Sequence, residues 1–174
     1  MYPKESKKDM FSFLDIKIKE LKKCGISNAK KEIEWLLQKH FSISKETLIF
    51  KQNFLLKPKQ LDSLNQSIAR RKKKEPFQYI VNSAPFYGYD IFVNQNVLIP
   101  RPETEVIIDV LKKKKTIFNN ALDIGTGSGN LALVLSLEKI AHNITALDIS
   151  KKALQVAKIN FSNYNIKNIN ILQN

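Results

Sequence analysis

The sequence predicts an α/β protein in three parts: a small N-terminal helical bundle at 1–75, a β-hairpin linker at 76–100, and the first part of a doubly wound domain at 101–174. In the first part, apolar residues recur every three or four positions, as on an amphipathic helix. Aromatic and β-branched residues dominate the second part and favour strands. In the third part, short apolar runs alternate with helical stretches, which is typical of a parallel sheet with helical crossovers.

The helical bundle is predicted from hydrophobic spacing and from residues that begin or end helices. Apolar residues between positions 11 and 21 would share one face of a first helix. Ser44 can cap a short helix, and Pro58 suits the first turn of another. That last helix runs into the basic residues 70–74, which we interpret as a solvated helix end, and it should end before Pro76.

The linker is predicted to be a β-hairpin. Residues 77–81 and 86–93 carry the aromatic and β-branched side chains of strands, and residues 82–85 have the composition of a turn.

From about residue 104 the pattern alternates between helix and strand. The expected elements are a helix at 104–111, a strand at 121–124, a helix at 131–137, a strand at 144–148, a helix capped by Ser150, and a third strand at 169–172.

The net charge of +13 invites a nucleic-acid interpretation, which the kind of basic residue weakens. Of the 29 basic residues 26 are Lys, and the chain holds 16 Asn and 21 Ile, three amino acids with A/T-rich codons. Arg, whose planar fork reads phosphates and bases better, occurs only 3 times. We therefore attribute the basicity to codon bias and expect no direct nucleic-acid binding, with a polyanion-binding surface as the alternative.

Composition also indicates the cellular compartment of the protein. The single cysteine, Cys24, excludes an internal disulfide and suits a reducing environment. The N-terminus has no apolar core of signal-peptide length, and no stretch approaches the about 18 apolar residues that a membrane span needs. We expect a cytoplasmic protein without membrane contact or bound metal.

A glycine-rich loop follows the first predicted strand of the third part. The string Asp123-Ile-Gly125-Thr-Gly127-Ser-Gly129 is G-x-G-x-G rather than the G-x-G-x-x-G of dinucleotide sites, and no Lys-Ser/Thr follows as in a P-loop. Asp148 ends the next strand, where its carboxylate can accept both hydroxyls of a ribose. This combination suits a nucleoside ligand, of which S-adenosylmethionine is the common one. The alternative is a tight turn without a ligand, and Asp123 could contact either the ligand or the loop N–H groups.

The segment before the first helix of the third part is the most distinctive stretch of the sequence. In Val97-Leu-Ile-Pro-Arg101-Pro102-Glu103-Thr104-Glu105, two prolines hold Arg101 between them. Pro102 can open the helix, and the acidic residues complement its dipole, but this does not explain a rigidly held cation.

Together these strings resemble the bacterial peptide chain release factor glutamine N5-methyltransferases over nearly the whole chain. The motifs are Pro76-x-x-Tyr79-Ile80, Phe86-x-Gly88, the string from Val97 to Glu105, the Asp123–Gly129 loop, and Asp148-Ile-Ser150 with Ala153-Leu154. The resemblance implies a Rossmann-like S-adenosylmethionine-dependent methyltransferase domain. It also implies methyl transfer to the glutamine amide of the Gly-Gly-Gln motif of release factors, which the helical domain helps to bind.

By matching positions, the resemblance implies a set of cofactor-binding residues. Asp148 would hold the ribose, and Asp123 at the start of the glycine loop is also assigned to the cofactor site. The remaining members would surround the methionine part of the cofactor, Gly125, Thr126, Gly127, Ser128 and Gly129, or line the pocket edge, Arg101, Glu103 and Thr104.

Three departures from the family pattern qualify these expectations. Asn82 stands where glycine is usual, although Asn tolerates positive φ, and Pro85 stands where an acidic residue is common. The Asn-Pro-Pro-Tyr acceptor motif is absent from the sequence, so no catalytic residue is assigned. We expect residues 1–174 alone to bind the cofactor weakly and to transfer no methyl group.

Two alternatives remain open from the sequence. Families with Asn-Pro-Pro-Tyr chemistry also methylate amino groups of nucleic acids. The chain could also be a truncated, non-catalytic product that at most binds a release factor.

Overall fold

The computed structural model describes residues 9–52 and 54–174, and the chain divides into two units, Met1–Val81 and Asn82–Asn174. In the described part of the first unit the regular elements are helices. They are α1 Asp9–Lys23, α2 Ala29–Phe41, α3 Lys45–Ile49, α4 Pro58–Lys72 and α5 Phe77–Val81.

The helical bundle forms as its hydrophobic spacing predicts. The Ser44 hydroxyl accepts the Thr47 N–H at 3.1 Å, and Pro58 occupies the first turn of α4, so both predicted helix starts are confirmed. The apolar stripes of α1, α2 and α4 meet in one core. Its buried leucines and isoleucines on these three helices are Leu14, Leu21, Ile33, Leu36, Leu37, Leu64 and Ile68.

The basic run at the end of α4 is mostly exposed, as predicted for a solvated helix end, but Arg71 departs from this interpretation because it is partly buried in an ion pair. Arg71 donates to both carboxylate oxygens of Glu32 at 2.7 and 3.0 Å, and both side chains are mostly buried. Arg70 makes a similar two-bond pair with Glu75. A bidentate guanidinium–carboxylate pair combines charge with fixed geometry, so these residues tie α4 to α2 and to the following turn.

The predicted strand at residues 77–81 is wrong, because this segment is the short helix α5. The N–H groups of Tyr79 and Ile80 bond back to the Pro76 carbonyl, and Phe77, Ile80 and Val81 are buried. Their spacing of three and four positions places them on one helix face against the bundle core. Burial in the bundle therefore overrides the β propensity of these side chains.

The β-hairpin is shorter and lies later than predicted. Strands β1 Ala84–Phe86 and β2 Tyr89–Ile91 pair antiparallel, with Phe86 opposite Tyr89. The turn is at Tyr87 and Gly88, whose φ angles of 49° and 79° are both positive, as a two-residue hairpin turn requires. The predicted turn at 82–85 is therefore wrong.

Asn82 nevertheless has the backbone conformation expected of it. Its φ is 52°, and its side-chain amide donates to the Val93 carbonyl at 3.1 Å. The amide therefore secures the entry to the hairpin at a position where the family usually has glycine.

The rest of the second unit is an alternating α/β arrangement, as predicted. A three-stranded parallel sheet has the order β3-β4-β5. The elements are α6 Pro102–Lys113, β3 Phe118–Ile124, α7 Asn130–Leu137, β4 Ala141–Asp148, α8 Lys151–Asn163 and β5 Ile169–Gln173.

The alternation of side chains along β3 decides which residues face the helices. Leu122 and Ile124 are 59% and 73% exposed, so they point away from the covered face. Ala121 and Asp123 alternate with them and lie on the side of α7. The carboxylate of Asp123 is thereby directed toward the helix that begins after the loop.

Candidate functional site

The candidate site lies where β3 and β4 end side by side. Ile124 pairs with Leu147 in the parallel register, so the loop after β3 comes next to Asp148 at the end of β4. The loop turns through three glycines with φ of 73°, 56° and 76° at Gly125, Gly127 and Gly129. Only glycine adopts such left-handed angles at little cost, which explains the G-x-G-x-G spacing.

Four N–H groups of this loop are already used by the protein. Gly125 and Thr126 both donate to the Leu147 carbonyl, at 2.8 and 2.9 Å, and Gly129 donates to the Thr126 carbonyl at 2.8 Å. A phosphate-binding loop would instead direct its N–H groups at the ligand. The loop is therefore shaped by internal hydrogen bonds rather than prepared to hold a pyrophosphate.

Asp148 connects the glycine loop to the end of β4 through its carboxylate. One of its carboxylate oxygens accepts the Gly127 N–H at 2.9 Å and the other accepts the Ser150 N–H at 2.8 Å. The residue is 9% exposed. Each carboxylate oxygen has a second acceptor position, so Asp148 can still receive hydroxyl donors. Ser150 caps α8 by accepting the Ala153 N–H at 3.2 Å, as predicted.

Asp123 contacts the loop and the following helix. Its carboxylate accepts the Thr126 hydroxyl at 2.7 Å and the backbone N–H of Ala132 in the first turn of α7. Burial raises the pKa of the Asp123 carboxyl above its ordinary value, and the nearby charge of Asp148 raises it further. Asp123 is therefore bonded to a loop hydroxyl and a helix N–H, and two carboxylates border one loop.

The glycines differ in the space around them. A Cβ on Gly129 would lie 2.7 Å from the Phe161 ring and 3.0 Å from Ala157, so α8 packs directly against the loop there. A Cβ on Gly125 would meet nothing within 4 Å. Open space at Gly125, beside carboxylates rather than lysines, fits a ligand with hydroxyl groups and positive charge better than a phosphate.

Asn160 is a site residue that the sequence analysis missed. It is fully buried on α8, and its side-chain amide donates to the Ser128 carbonyl at 2.8 Å, inside the glycine loop. The signal available in the sequence is its position, since it continues the apolar stripe of Ala153 and Ala157. A polar residue on a buried stripe requires buried partners.

The residues predicted at the pocket edge form a separate group. Pro102 opens α6 as predicted, while Arg101 and Glu103 are exposed and Thr104 is half-buried. Among the described residues, no side-chain hydrogen bond joins Arg101, Glu103 or Thr104 to the loop. Their neighbour Glu105 accepts the Tyr87 N–H at 2.9 Å and so ties the segment to the hairpin turn.

No helix in residues 9–52 and 54–174 has both the length and the apolar character to span a membrane. Within the same part of the chain, no group of three or more His, Cys, Asp or Glu residues is arranged to hold a metal ion.

The chain is similar to known proteins in both units. The family model described as the PrmC N-terminal domain matches residues 17–81, and the model described as the methyltransferase small domain matches residues 101–174. A release factor glutamine methyltransferase of Buchnera aphidicola subsp. Schizaphis graminum is 37% identical over 153 residues, which are 87% of this chain and 55% of that protein.

Another curated protein and a solved structure also match parts of the chain. The release factor glutamine methyltransferase of Fusobacterium nucleatum is 28% identical over 98% of this chain and 49% of its own length. A solved structure of a putative S-adenosyl-L-methionine-dependent methyltransferase from Methanococcus maripaludis is 27% identical, covers 40% of this chain and 32% of its own, and has a TM-score of 0.36. The chain spans about half the length of the curated relatives it matches.

The two glycines should respond differently to alanine. Gly125→Ala has room for its Cβ and should cost about 1–2 kcal/mol, because its φ of 73° is strained for alanine. Gly129→Ala carries the same backbone strain and also collides with Phe161, so it should cost about 1–3 kcal/mol more. Urea unfolding measures both, and equal costs would contradict the packing of α8 on the loop.

Replacing Asp123 by Asn should stabilise the fold at neutral pH by an amount that shrinks on acidification. Since the folded state raises the pKa of this carboxyl above 3.8, the folded protein binds the proton more readily than the unfolded chain. The buried, ionised Asp123 carboxylate lowers the unfolding free energy of the wild type at pH 7. This cost disappears as the pH falls through the raised pKa and the carboxylate takes up a proton.

The measurement is the difference in unfolding free energy between Asp123→Asn and wild type at about pH 7 and about pH 4.5. The matched control is Asp109→Asn, at an exposed carboxylate on α6. A stabilisation by Asp123→Asn that grows on acidification would contradict the assigned burial.

Proposed function

Because the chain belongs to the release factor glutamine methyltransferase family, we propose that it serves methyl transfer from S-adenosylmethionine to the glutamine of the Gly-Gly-Gln motif of peptide chain release factors. The second unit provides the cofactor loop, and the helical bundle provides a surface for the release factor. The reaction belongs in the cytoplasm, which suits a chain with one cysteine.

The observation that carries this proposal is the pair of carboxylates around a loop in which four N–H groups are bonded within the protein. Gly125, Thr126, Gly127 and Gly129 all donate within the protein, and the Asp123 and Asp148 carboxylates lie beside them. A pyrophosphate would meet negative charge and few donors there. Ribose hydroxyls and a positively charged methionine part would meet acceptors, which favours S-adenosylmethionine over a dinucleotide.

Each residue of the loop then has a defined task. Asp148 accepts the ribose hydroxyls on the acceptor positions that Gly127 and Ser150 leave open. The open side of Gly125 admits the methionine part, and the positive charge of that part favours the ionised form of Asp123. Arg101, Glu103 and Thr104 remain proposed as the pocket edge.

When bound, the cofactor supplies an electrophilic methyl group on a sulfonium. An amide nitrogen is a weak nucleophile, so the protein must contribute mainly by positioning and polarising the acceptor in a site that excludes water. For the reacting amide itself we assign no residue of this sequence.

The helical bundle is proposed to bind the release factor through a groove between α1, α2 and α3. The groove has a volume of about 600 Å³ and an apolar floor that includes Leu14, Ile18 and Ile33. Its charged lining consists of Lys19, Lys22, Lys30 and Lys51 with Asp15 and Glu34. A groove with an apolar floor and more lysines than carboxylates favours a partner segment that is itself apolar and acidic.

Binding of S-adenosylhomocysteine to the purified chain tests the cofactor assignment. Ligand at ten times its Kd should stabilise the protein by about 1.4 kcal/mol and raise Tm accordingly. Asp148→Ala should lose this response, because the hydroxyl acceptor is gone. Asp109→Ala removes an exposed carboxylate from the same unit and should keep it.

Circular dichroism of both variants without ligand separates lost binding from lost folding, since Asp148 also holds two loop N–H groups. The assignment fails if NAD stabilises the wild type more than S-adenosylhomocysteine does, or if folded Asp148→Ala responds like wild type.

Release factor binding tests the role of the bundle. The double variant Lys19→Glu/Lys22→Glu should weaken binding of a purified release factor at least about tenfold, because it reverses the charge of the groove lining. The control Lys59→Glu/Lys73→Glu makes the same charge change at exposed positions on and after α4.

Titration by fluorescence anisotropy at fixed ionic strength gives the affinities. Equal losses in both double variants would contradict the groove and indicate a general charge effect. Binding of tRNA or DNA in preference to the release factor would favour nucleic-acid amino-methylation instead.

A further inference from the structure

Asn160 joins three backbone groups from two separate segments. Its side-chain oxygen accepts the Phe92 N–H at 2.7 Å, and its side-chain nitrogen donates to the Phe92 carbonyl at 2.9 Å and to the Ser128 carbonyl at 2.8 Å. It is fully buried, so water does not compete for these bonds.

The chemistry of the amide matches this task closely. One acceptor and two donors are needed at one point, and the asparagine side chain offers both within a short reach. Aspartate would supply no donor for the two carbonyls, and an apolar residue would leave all three backbone groups buried without partners, which is costly.

The position of Ser128 gives this contact its functional meaning. Ser128 lies between Gly127 and Gly129, which both have left-handed φ angles. Its carbonyl direction depends on those angles, so holding the carbonyl restrains the turn. The next residue on α8, Phe161, packs on Gly129 from the same side. Helix α8 thus supports the loop through both a hydrogen bond and a packing contact.

The Phe92 contact extends the support to a second segment. Phe92 follows β2, and the chain from there leads to the proline-bounded string that includes Arg101. One buried side chain therefore links the glycine loop to the segment that carries the predicted pocket edge.

We propose that Asn160 is a positioning residue of the cofactor site. It sets the loop conformation before the ligand arrives, and it holds the loop in a fixed position relative to the segment after the hairpin. Its link to the cofactor rests on the proposed function, whereas its restraint of the loop does not. The residue acts through the Ser128 and Phe92 backbone and not through contact with the cofactor.

The test compares Asn160→Ala with Asn168→Ala. Asn168 also bridges two groups of the second unit, accepting the Ser136 hydroxyl at 2.6 Å and donating to the His142 carbonyl at 2.9 Å, but it does not touch the loop. Backbone amide exchange of Gly127, Ser128 and Gly129 is followed by NMR without ligand, and the affinity for S-adenosylhomocysteine is measured by calorimetry.

Asn160→Ala should accelerate exchange of the loop amides about tenfold beyond its change in global exchange, and should weaken S-adenosylhomocysteine about tenfold. Asn168→Ala should leave both quantities near their wild-type values at comparable stability. Loop exchange that is the same in the two variants would overturn the proposal. Absence of ligand binding by the wild type would count against the proposed function, while loop exchange would still decide the role of Asn160.

A measurement on the wild type decides the matter should Asn160→Ala fail to fold. The two side-chain amide protons of Asn160 are both donated, so they should exchange as slowly as the Gly129 N–H. Exchange at the rate of an exposed asparagine would overturn the proposal.

Discussion

The turn from Gly125 to Gly129 is the constraint on which the second unit depends. Three glycines in five positions lose much backbone freedom on folding, so the surrounding structure must hold them in their left-handed conformation. The Leu147 carbonyl and the Asp148 carboxylate hold the turn from β4, and Asn160 and Phe161 hold it from α8. The Leu147 and Asp148 contacts also engage the N–H groups of Gly125, Thr126 and Gly127, so the way the loop is held also determines which ligand chemistry it favours.

Much of this site could be predicted from the sequence because its determinants are local. Glycine spacing, an acidic residue at the end of β3 and of β4, and Ser150 before a helix are all short patterns. Asn160 could not be found in this way, since its partners lie 68 and 32 positions earlier in the chain. The same limit applies to Asp123, whose role as a partner of α7 depends on which face of β3 is covered.

The errors in the first half of the chain have a common physical origin. Residues 77–81 have strand-like side chains but are helical because three of them are buried against the bundle, and the hairpin turn forms at Tyr87, a residue type that seldom indicates a turn with positive φ. Within the basic run at 70–74, the burial of Arg71 is not predicted, because its partner Glu32 is 39 positions away. Basic charge there stabilises the bundle, and the groove lysines carry the proposed recognition of a partner.

The most direct test of this account is an experimental structure of the chain with S-adenosylhomocysteine. We predict ribose hydroxyls at about 2.6–3.2 Å from the Asp148 carboxylate, with the hydrogen bonds from Gly127 to Asp148 and from Asn160 to Ser128 unchanged. A ligand bound away from Asp148, or a loop that breaks those two bonds to admit the ligand, would contradict the claim that the protein sets the loop conformation in advance.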